Sequence, residues 1–280
     1  MYLTHRWEAG TEKGLEAMSD EYLYSNTASV AKERLKGLER LEDSATIASL
    51  ASLEIGPEWY CLELGAGAGS IAAWLSEQVG PAGRVVATDI DTDLLDASRY
   101  TVWRHDLQVD QLPVASFDLI HFRHVLIHIP AWKHASTLKS VLRTLKPNGV
   151  LLAEESDLHS WRVDPGTPEP LRTGCSDGIE AVLTAYAQRG MDTGLGQRLE
   201  LMLRAEGFEI SSVNRRSWHV TGGSLEARFH EQSMRQLAGS IRSSMPELVA
   251  GIEQLATACS DCRLRYDTRT TVSVTCRRSR

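Results

Sequence analysis

The sequence predicts an α/β fold built on a doubly wound, mostly parallel sheet. Three observations predict it. Between residues 59 and 155, short continuous apolar runs alternate with amphipathic stretches, the pattern of strands covered on both faces by helices. One such run, Tyr60-Cys-Leu-Glu-Leu64, leads into Gly65-Ala-Gly-Ala-Gly69 and then a helical stretch. The 280 residues exceed a common single domain, so roughly a hundred residues are elaboration around the sheet.

The elements follow in chain order. Over Ala28–Leu53 the residues Val30, Leu35, Leu38, Leu41, Ile47, Leu50 and Leu53 recur at three- and four-residue steps, a helical stripe. Gly56-Pro57 ends it. Tyr60–Leu64 is the first strand, Ser70–Val79 a helix, Gly80–Gly83 a turn and Arg84–Thr88 the second strand. Leu94–Ala97 reads as a short helix, Tyr100–Arg104 as the third strand and Phe117–Phe122 as the fourth. Ala131–Leu145 is helical and is stopped by the turn Lys146-Pro-Asn-Gly149, before a fifth strand at Val150–Ala153. Ser156–Glu169 reads as a loop, Asp177–Arg189 and Leu195–Glu206 as helices, and Phe208–Val213 as a sixth strand. Leu225–Ser243 and Pro246–Cys259 are helical, and Thr268–Thr275 is a final strand placed near an edge. The expected organisation is a helical N-terminal arm or lid (1–56), a ligand-binding core (57–155) and helical cap insertions with the last two strands (156–280).

Composition narrows the function classes. Hydrophobic residues at 42% and charged residues at 24% exclude disordered and low-complexity chains. No apolar run spans a membrane and the N-terminus has no apolar leader, so no membrane partner is expected. Five cysteines in such a length form no disulfide framework, which points to a cytoplasmic location. The net charge of −7 argues against nucleic acid. The arginines of 263–280 read as solvated flanks of a terminal strand.

The glycine segment is the strongest chemical signal. It lies where open α/β sheets bind ligands, at the carboxyl end of a strand. The dinucleotide fingerprint G-x-G-x-x-G is not matched, because the third glycine comes one residue early and Ser70 takes its place. Glu63 stands two residues before the first glycine, where a carboxylate would repel a pyrophosphate and favour a cation. Asp89 ends the second strand, 24 residues after Gly65, positioned for ribose hydroxyls. Asp106, after the third strand, is placed to accept from an exocyclic amine. Glycines, ribose and adenine handles and a cation-seeking carboxylate describe S-adenosylmethionine.

Glu63-x-Gly65-x-Gly67-x-Gly69, Asp89, His105-Asp106-Leu107, Phe117-Asp-Leu-Ile120 and Leu145-Lys-Pro-Asn-Gly149 together resemble class I S-adenosylmethionine-dependent methyltransferases. Arg123–Pro130 resembles the small-molecule branch of natural-product and ubiquinone biosynthesis. The resemblance covers about residues 58–155. It implies a Rossmann-like, seven-stranded sheet. It also implies that Gly65, Ala66, Gly67 and Gly69 lie under the methionine and ribose, with Glu63 toward the amino group. Asp89 would bind the ribose, Ile90 would pack on the adenine, and Asp106 with the Leu107 backbone would hold its ring. Arg123 would contact the methionine moiety, and Tyr24 of the arm would close over the cofactor. Asn148 departs from the commoner glycine but tolerates a positive φ.

Methyl transfer needs a base only when the acceptor must lose a proton. His121, His124 and His128 flank the end of the fourth strand. His124 is the candidate base, His128 a catalytic or structural partner, and Glu155 a second carboxyl candidate. A metal at the three histidines is the least favoured reading, so no metal is expected. Cys259-Ser-Asp-Cys262 lacks a second pair and reads as free thiols. His159, Trp161, Trp218, Phe229 and Met234 are candidate lining of the acceptor pocket. The expected activity is methylation of a small, hydrophobic or polycyclic acceptor at oxygen or nitrogen, with carbon possible, by a monomer or homodimer. Cyclisation or decarboxylation on the same fold is the alternative. RNA or protein methylation is less favoured, since the Asn/Asp-Pro-Pro-aromatic motif is absent after strand four.

Overall fold

A computed structural model describes residues 28–278, with side chains from residue 32 onward. The expected contact Tyr24 and the rest of the aromatic arm lie outside the described residues. The elements are α1 (Ala28–Ala51), β1 (Tyr60–Leu64), α2 (Ser70–Val79), β2 (Arg84–Asp89), β3 (Thr101–Arg104), β4 (Phe117–Arg123), α3 (His134–Thr144) and β5 (Leu145–Asp157). They continue as β6 (Arg162–Val163), α4 (Leu171–Gln188), α5 (Leu195–Ala205), β7 (Phe208–Arg216), β8 (His219–Thr221), α6 (Leu225–Ile241), α7 (Pro246–Ala258), β9 (Arg265–Asp267) and β10 (Thr270–Arg278).

The main sheet has seven strands in the order β3-β2-β1-β4-β5-β10-β7. Strands β1 to β5 are parallel, and β10 runs antiparallel to both β5 and β7. The order turns between β1 and β4, so their carboxyl ends flank a crevice at the switch point. One sheet face packs on α2 and the end of α1 through Leu50, Ile71, Leu75, Leu119 and Leu152. The other face joins the larger apolar core, which continues through Leu199, Leu237, Ile252 and Leu255 into the helical cap.

Three expectations are corrected. Leu94–Ala97 is a pair of turns, because Asp91 and Asp96 accept backbone N–H groups two residues on (3.1 and 3.0 Å) and so compete with a helix. The final strand lies near an edge, as expected, one in from the edge strand β7 and paired on both sides. Its Thr271, Ser273 and Thr275 alternate with Val272, Val274 and Cys276, but both sets are buried. The fifth strand is much longer than Val150–Ala153. It begins at Leu145, carries Lys146–Gly149 as a bulge, with Asn148 at φ 65°, and runs through the buried polar residues Glu154, Glu155 and Ser156. Finally, the segment after Ser156 is not all loop: β6 joins β8 and β9 in a small second sheet of strands too short to show a period.

Candidate active site

The strand ends and the cap enclose a cavity of about 430 Å³. Its floor is the turn from β1 into α2. Gly65, Gly67 and Gly69 adopt φ of 65°, 58° and 85°, the left-handed region that costs other residues energy. The loop is held from below. The Ala66 N–H donates to the Thr88 carbonyl (2.8 Å) and the Gly67 N–H to Asp89 Oδ2 (2.8 Å). Asp89 Oδ1 accepts from the Asp91 N–H (3.2 Å). Burial raises the Asp89 carboxyl despite these donors, so its carboxylate gains from any further hydroxyl.

A Cβ on Gly69 would run into the Tyr100 hydroxyl. Gly69→Ala is therefore expected to lower stability by at least about 2 kcal/mol and to disorder the floor. Thermal melting and S-adenosylhomocysteine titration check this, and adding Tyr100→Phe should return part of the loss.

Asp89, Ile90, Asp106 and Leu107 line the same cavity as the glycine loop. Asp106 Oδ1 accepts from the Gln108 N–H (2.9 Å), which fixes the carboxylate on its turn. Ile90 is 43% exposed, an apolar side chain open to a planar partner.

Behind this floor lies a buried polar layer between the sheet and α1. The register pairs Glu63 with His121, Arg123 with Glu154, and Glu154 with Ser273. Partners in register share a face, and α1 supplies Glu42, Asp43 and Thr46 to it. His121 Nδ1 donates to Glu63 Oε2 (2.7 Å) and Nε2 to Glu154 Oε2 (3.2 Å). Glu154 also accepts from Thr46 Oγ1 (2.5 Å), Arg216 Nη2 (2.5 Å) and Ser273 Oγ. Burial opposes a charge on His121, but the flanking carboxylates prevail and hold it up at about 9. Burial likewise opposes Glu154, yet His121 and Arg216 hold its carboxyl well below the ordinary range.

This layer revises two expected roles. Glu63 is at the cavity wall, but its carboxylate is already engaged by His121, so it faces a cofactor ammonium only as part of that pair. Arg123 also reaches the cavity, but its guanidinium donates to Asp43 Oδ1 (2.8 Å) and Thr46 Oγ1 (2.9 Å) of α1. It therefore ties the arm to the sheet at the cavity wall.

His124 follows β4 with φ 56°, an unusual backbone for a non-glycine residue. Its Nδ1 lies 3.2 Å from Ser156 Oγ and its Nε2 3.7 Å from Glu42 Oε1. Burial lowers its pKa, so the imidazole is neutral and able to take a proton. His128 lines the cavity and burial drives it down to about 3. Glu155 is corrected as a catalytic candidate. It is buried away from the cavity lining, and Oε1 accepts from the N–H groups of Val125 (2.9 Å) and Leu126 (2.7 Å). It shapes the loop that carries His124 and His128. Burial pushes its carboxyl up to about 8 against those donors.

The expected acceptor lining divides. Trp161, Phe229 and Met234 line the cavity. His159 instead contacts Thr193 Oγ1 (2.9 Å), and Trp218 stacks against Arg216 (5.9 Å), so neither reaches it. Glu39 of α1, Tyr186 and Arg189 of the α4 region, His230 of α6 and Arg269 before β10 also line it, and sequence reasoning missed them. The α1 residues carried one signal. Glu39, Glu42, Asp43 and Thr46 recur at three- and four-residue steps, a polar stripe in a helix otherwise read by its leucines. Among the described residues no group of three His, Cys, Asp or Glu could hold a metal.

The sheet order, the glycine turn and the acidic residues at successive strand ends define a Rossmann-like α/β fold with one cavity at its switch point. A family model described as a methyltransferase domain matches residues 31–232. The chain belongs to that family. Methyltransferase str3 of Strobilurus tenacellus is 26% identical over 169 residues, 59% of this chain and 58% of that protein, so the match spans little more than half of that relative. A solved structure described as a candidate methyltransferase of Bacillus halodurans C-125 shares the fold with a TM-score of 0.54 at 17% identity, over 84% of this chain and 100% of that one. The YcgJ protein of Bacillus subtilis does so with a TM-score of 0.52 at 14% identity, over 83% and 97%. Among the described residues no helix is long and apolar enough to cross a membrane.

Proposed function

We propose that the chain methylates a small, largely apolar acceptor, at oxygen or nitrogen, inside this cavity. One observation carries the reading. A single cavity joins the glycine floor and its carboxylates to an aromatic cap wall of Trp161, Tyr186 and Phe229. The donor set fits S-adenosylmethionine. Three glycines leave room for close approach, and Asp89 offers a poorly solvated carboxylate to a diol.

In this reading Gly65, Ala66, Gly67 and Gly69 hold the methionine and ribose, and Asp89 accepts from the ribose hydroxyls. Ile90 packs on the adenine, while Asp106 and the Leu107 backbone hold its edge. When bound, S-adenosylmethionine supplies a methyl group on a sulfonium that is ready to leave. The protein's part is orientation and the exclusion of water. His124 takes the acceptor's proton, its ring set between Ser156 and Glu42. The Glu63–His121 pair adds a buried carboxylate beneath the cationic end, and His128 packs as a neutral wall.

The test is methyl transfer to a panel of aromatic acids, phenols and amines, followed as S-adenosylhomocysteine formed. His124→Ala should lower kcat by about 100-fold or more, with S-adenosylhomocysteine affinity unchanged within about twofold. Unaltered turnover removes His124 as the base. Absence of transfer to every member of the panel removes the acceptor class.

A further inference from the structure

The two ends of the cavity differ in charge. Six carboxylates line it, and all come from Glu39, Glu63, Asp89, Asp91, Asp93 and Asp106, on the cofactor side. Two arginines, Arg34 and Arg123, accompany these carboxylates, whereas among the described residues that line the cavity from Ser156 onward there is no carboxylate and there are two arginines, Arg189 and Arg269. Arg189 Nη2 already reaches the Ser240 carbonyl at 3.4 Å.

Arg269 is placed differently. Its Nε donates to Ser156 Oγ (2.8 Å), and its guanidinium lies 5.9 Å over the Phe229 ring. These two contacts aim the group while its terminal nitrogens make no hydrogen bond or ion pair among the described residues. The nearby Glu42 accepts from Thr271 Oγ1 (2.9 Å) at Oε1 and feels the Arg269 charge but forms no ion pair with it, and Glu154 is held by His121 and Arg216. A guanidinium with a free fork suits a planar, bidentate oxyanion.

The surrounding side chains agree. Trp161 and Phe229 pack on His230 with ring centroids 5.5 and 5.1 Å away, and Arg269 adjoins them over Phe229. Within this cluster Trp161 Nε1, His230 Nε2 and Ser233 Oγ are buried with no partner. Buried polar atoms are nearly always satisfied. Arginine and the tryptophan N–H can only donate, so what satisfies them must accept. His230 adds no competing charge, since burial drives it down to about 3 and the Tyr266 hydroxyl engages Nδ1 at 2.8 Å.

We propose that the cap end of the cavity is a carboxylate-recognition site in which Arg269 holds the carboxylate of an aromatic acid acceptor, with the ring against Trp161 and Phe229. This rests on the acceptor reading above and adds to it the charge that the acceptor carries. The Arg269–Ser156–His124 chain of contacts (2.8 and 3.2 Å) then sets the anchored acid beside the candidate base.

The experiment is calorimetric titration of the protein saturated with S-adenosylhomocysteine, using 2-naphthoate and its neutral isostere 2-naphthamide. The acid should bind at least about tenfold more tightly than the amide. Arg269→Gln should abolish that preference, and Arg269→Lys should keep part of it. Equal binding of acid and amide, no binding of the acid, or a preference that survives Arg269→Gln would each overturn the proposal. S-adenosylhomocysteine affinity is recorded for every variant. Its loss in the wild-type chain would count against the cofactor site, whereas normal affinity with no acid preference counts against Arg269 alone.

Discussion

Asp89→Ala should weaken S-adenosylhomocysteine binding by roughly 100-fold, about 3 kcal/mol, while leaving a folded chain. Two effects add. The Asp89 carboxylate accepts from the Gly67 N–H at 2.8 Å, so its removal frees the middle of the glycine floor. It is also the carboxylate at the end of β2 with burial enough to favour hydroxyl donors over water. Asp89→Asn separates the two. Its amide oxygen can still accept from Gly67, but it carries no charge, so an intermediate loss of about tenfold is expected. Affinity in Asp89→Ala within twofold of the wild type would contradict the assignment of the ribose site.

His121→Leu is expected to have the largest effect on stability. The residue is fully buried and bridges two carboxylates that lie beneath the cavity floor. Leucine fills much of the same space, but it leaves Glu63 without its partner and Glu154 with fewer. Removing one member of a buried charged set costs about 3–5 kcal/mol, which for a domain of this size lowers the melting temperature by roughly 10 °C.

The pH dependence gives a second readout. His121 is held up at about 9 in the folded chain, above its unfolded value near 6.5. Its stabilising contribution is therefore complete below about pH 6.5 and is lost as the pH rises through 9. The wild type should lose stability across that alkaline window. His121→Leu should not lose it there, and should instead be stabilised by acidification, as the orphaned carboxylates take up protons. Differential scanning calorimetry from pH 5 to 9.5 checks both signs. Matching curves for the two proteins would contradict the bridging role.

Most of the parallel sheet was legible because its strands are continuous apolar runs with clear glycine breaks. Tyr60–Leu64 and Ser70–Val79 coincide with β1 and α2 residue for residue. The polar half of the fold was not. Glu154, Glu155 and Ser156 read as a strand end and a loop, and Thr271, Ser273 and Thr275 only as part of a final strand. In the structure they meet a helix that brings its own carboxylates. A buried polar layer has no periodic signature of its own, because each residue is satisfied by partners far away in sequence.

The same reason limited the site. The glycine turn, Asp89 and Asp106 are local features of strand ends; Gly65, Ala66, Gly67, Asp89 and Asp106 line one cavity, while Gly69 packs against Tyr100. Arg123 and Glu155 sat at the right strand ends but point to other partners, which only the neighbouring elements decide. Arg269 is separated from Ser156 by 113 residues, and no spacing rule connects them.

The most direct measurement is a crystal structure of the chain with S-adenosylhomocysteine. The ribose hydroxyls are expected within hydrogen-bond distance of Asp89, the adenine edge at Asp106 and Leu107, and the sulfur turned toward His124 and the aromatic cap. A ligand bound elsewhere, or one whose ribose is held by groups other than Asp89, would contradict this arrangement.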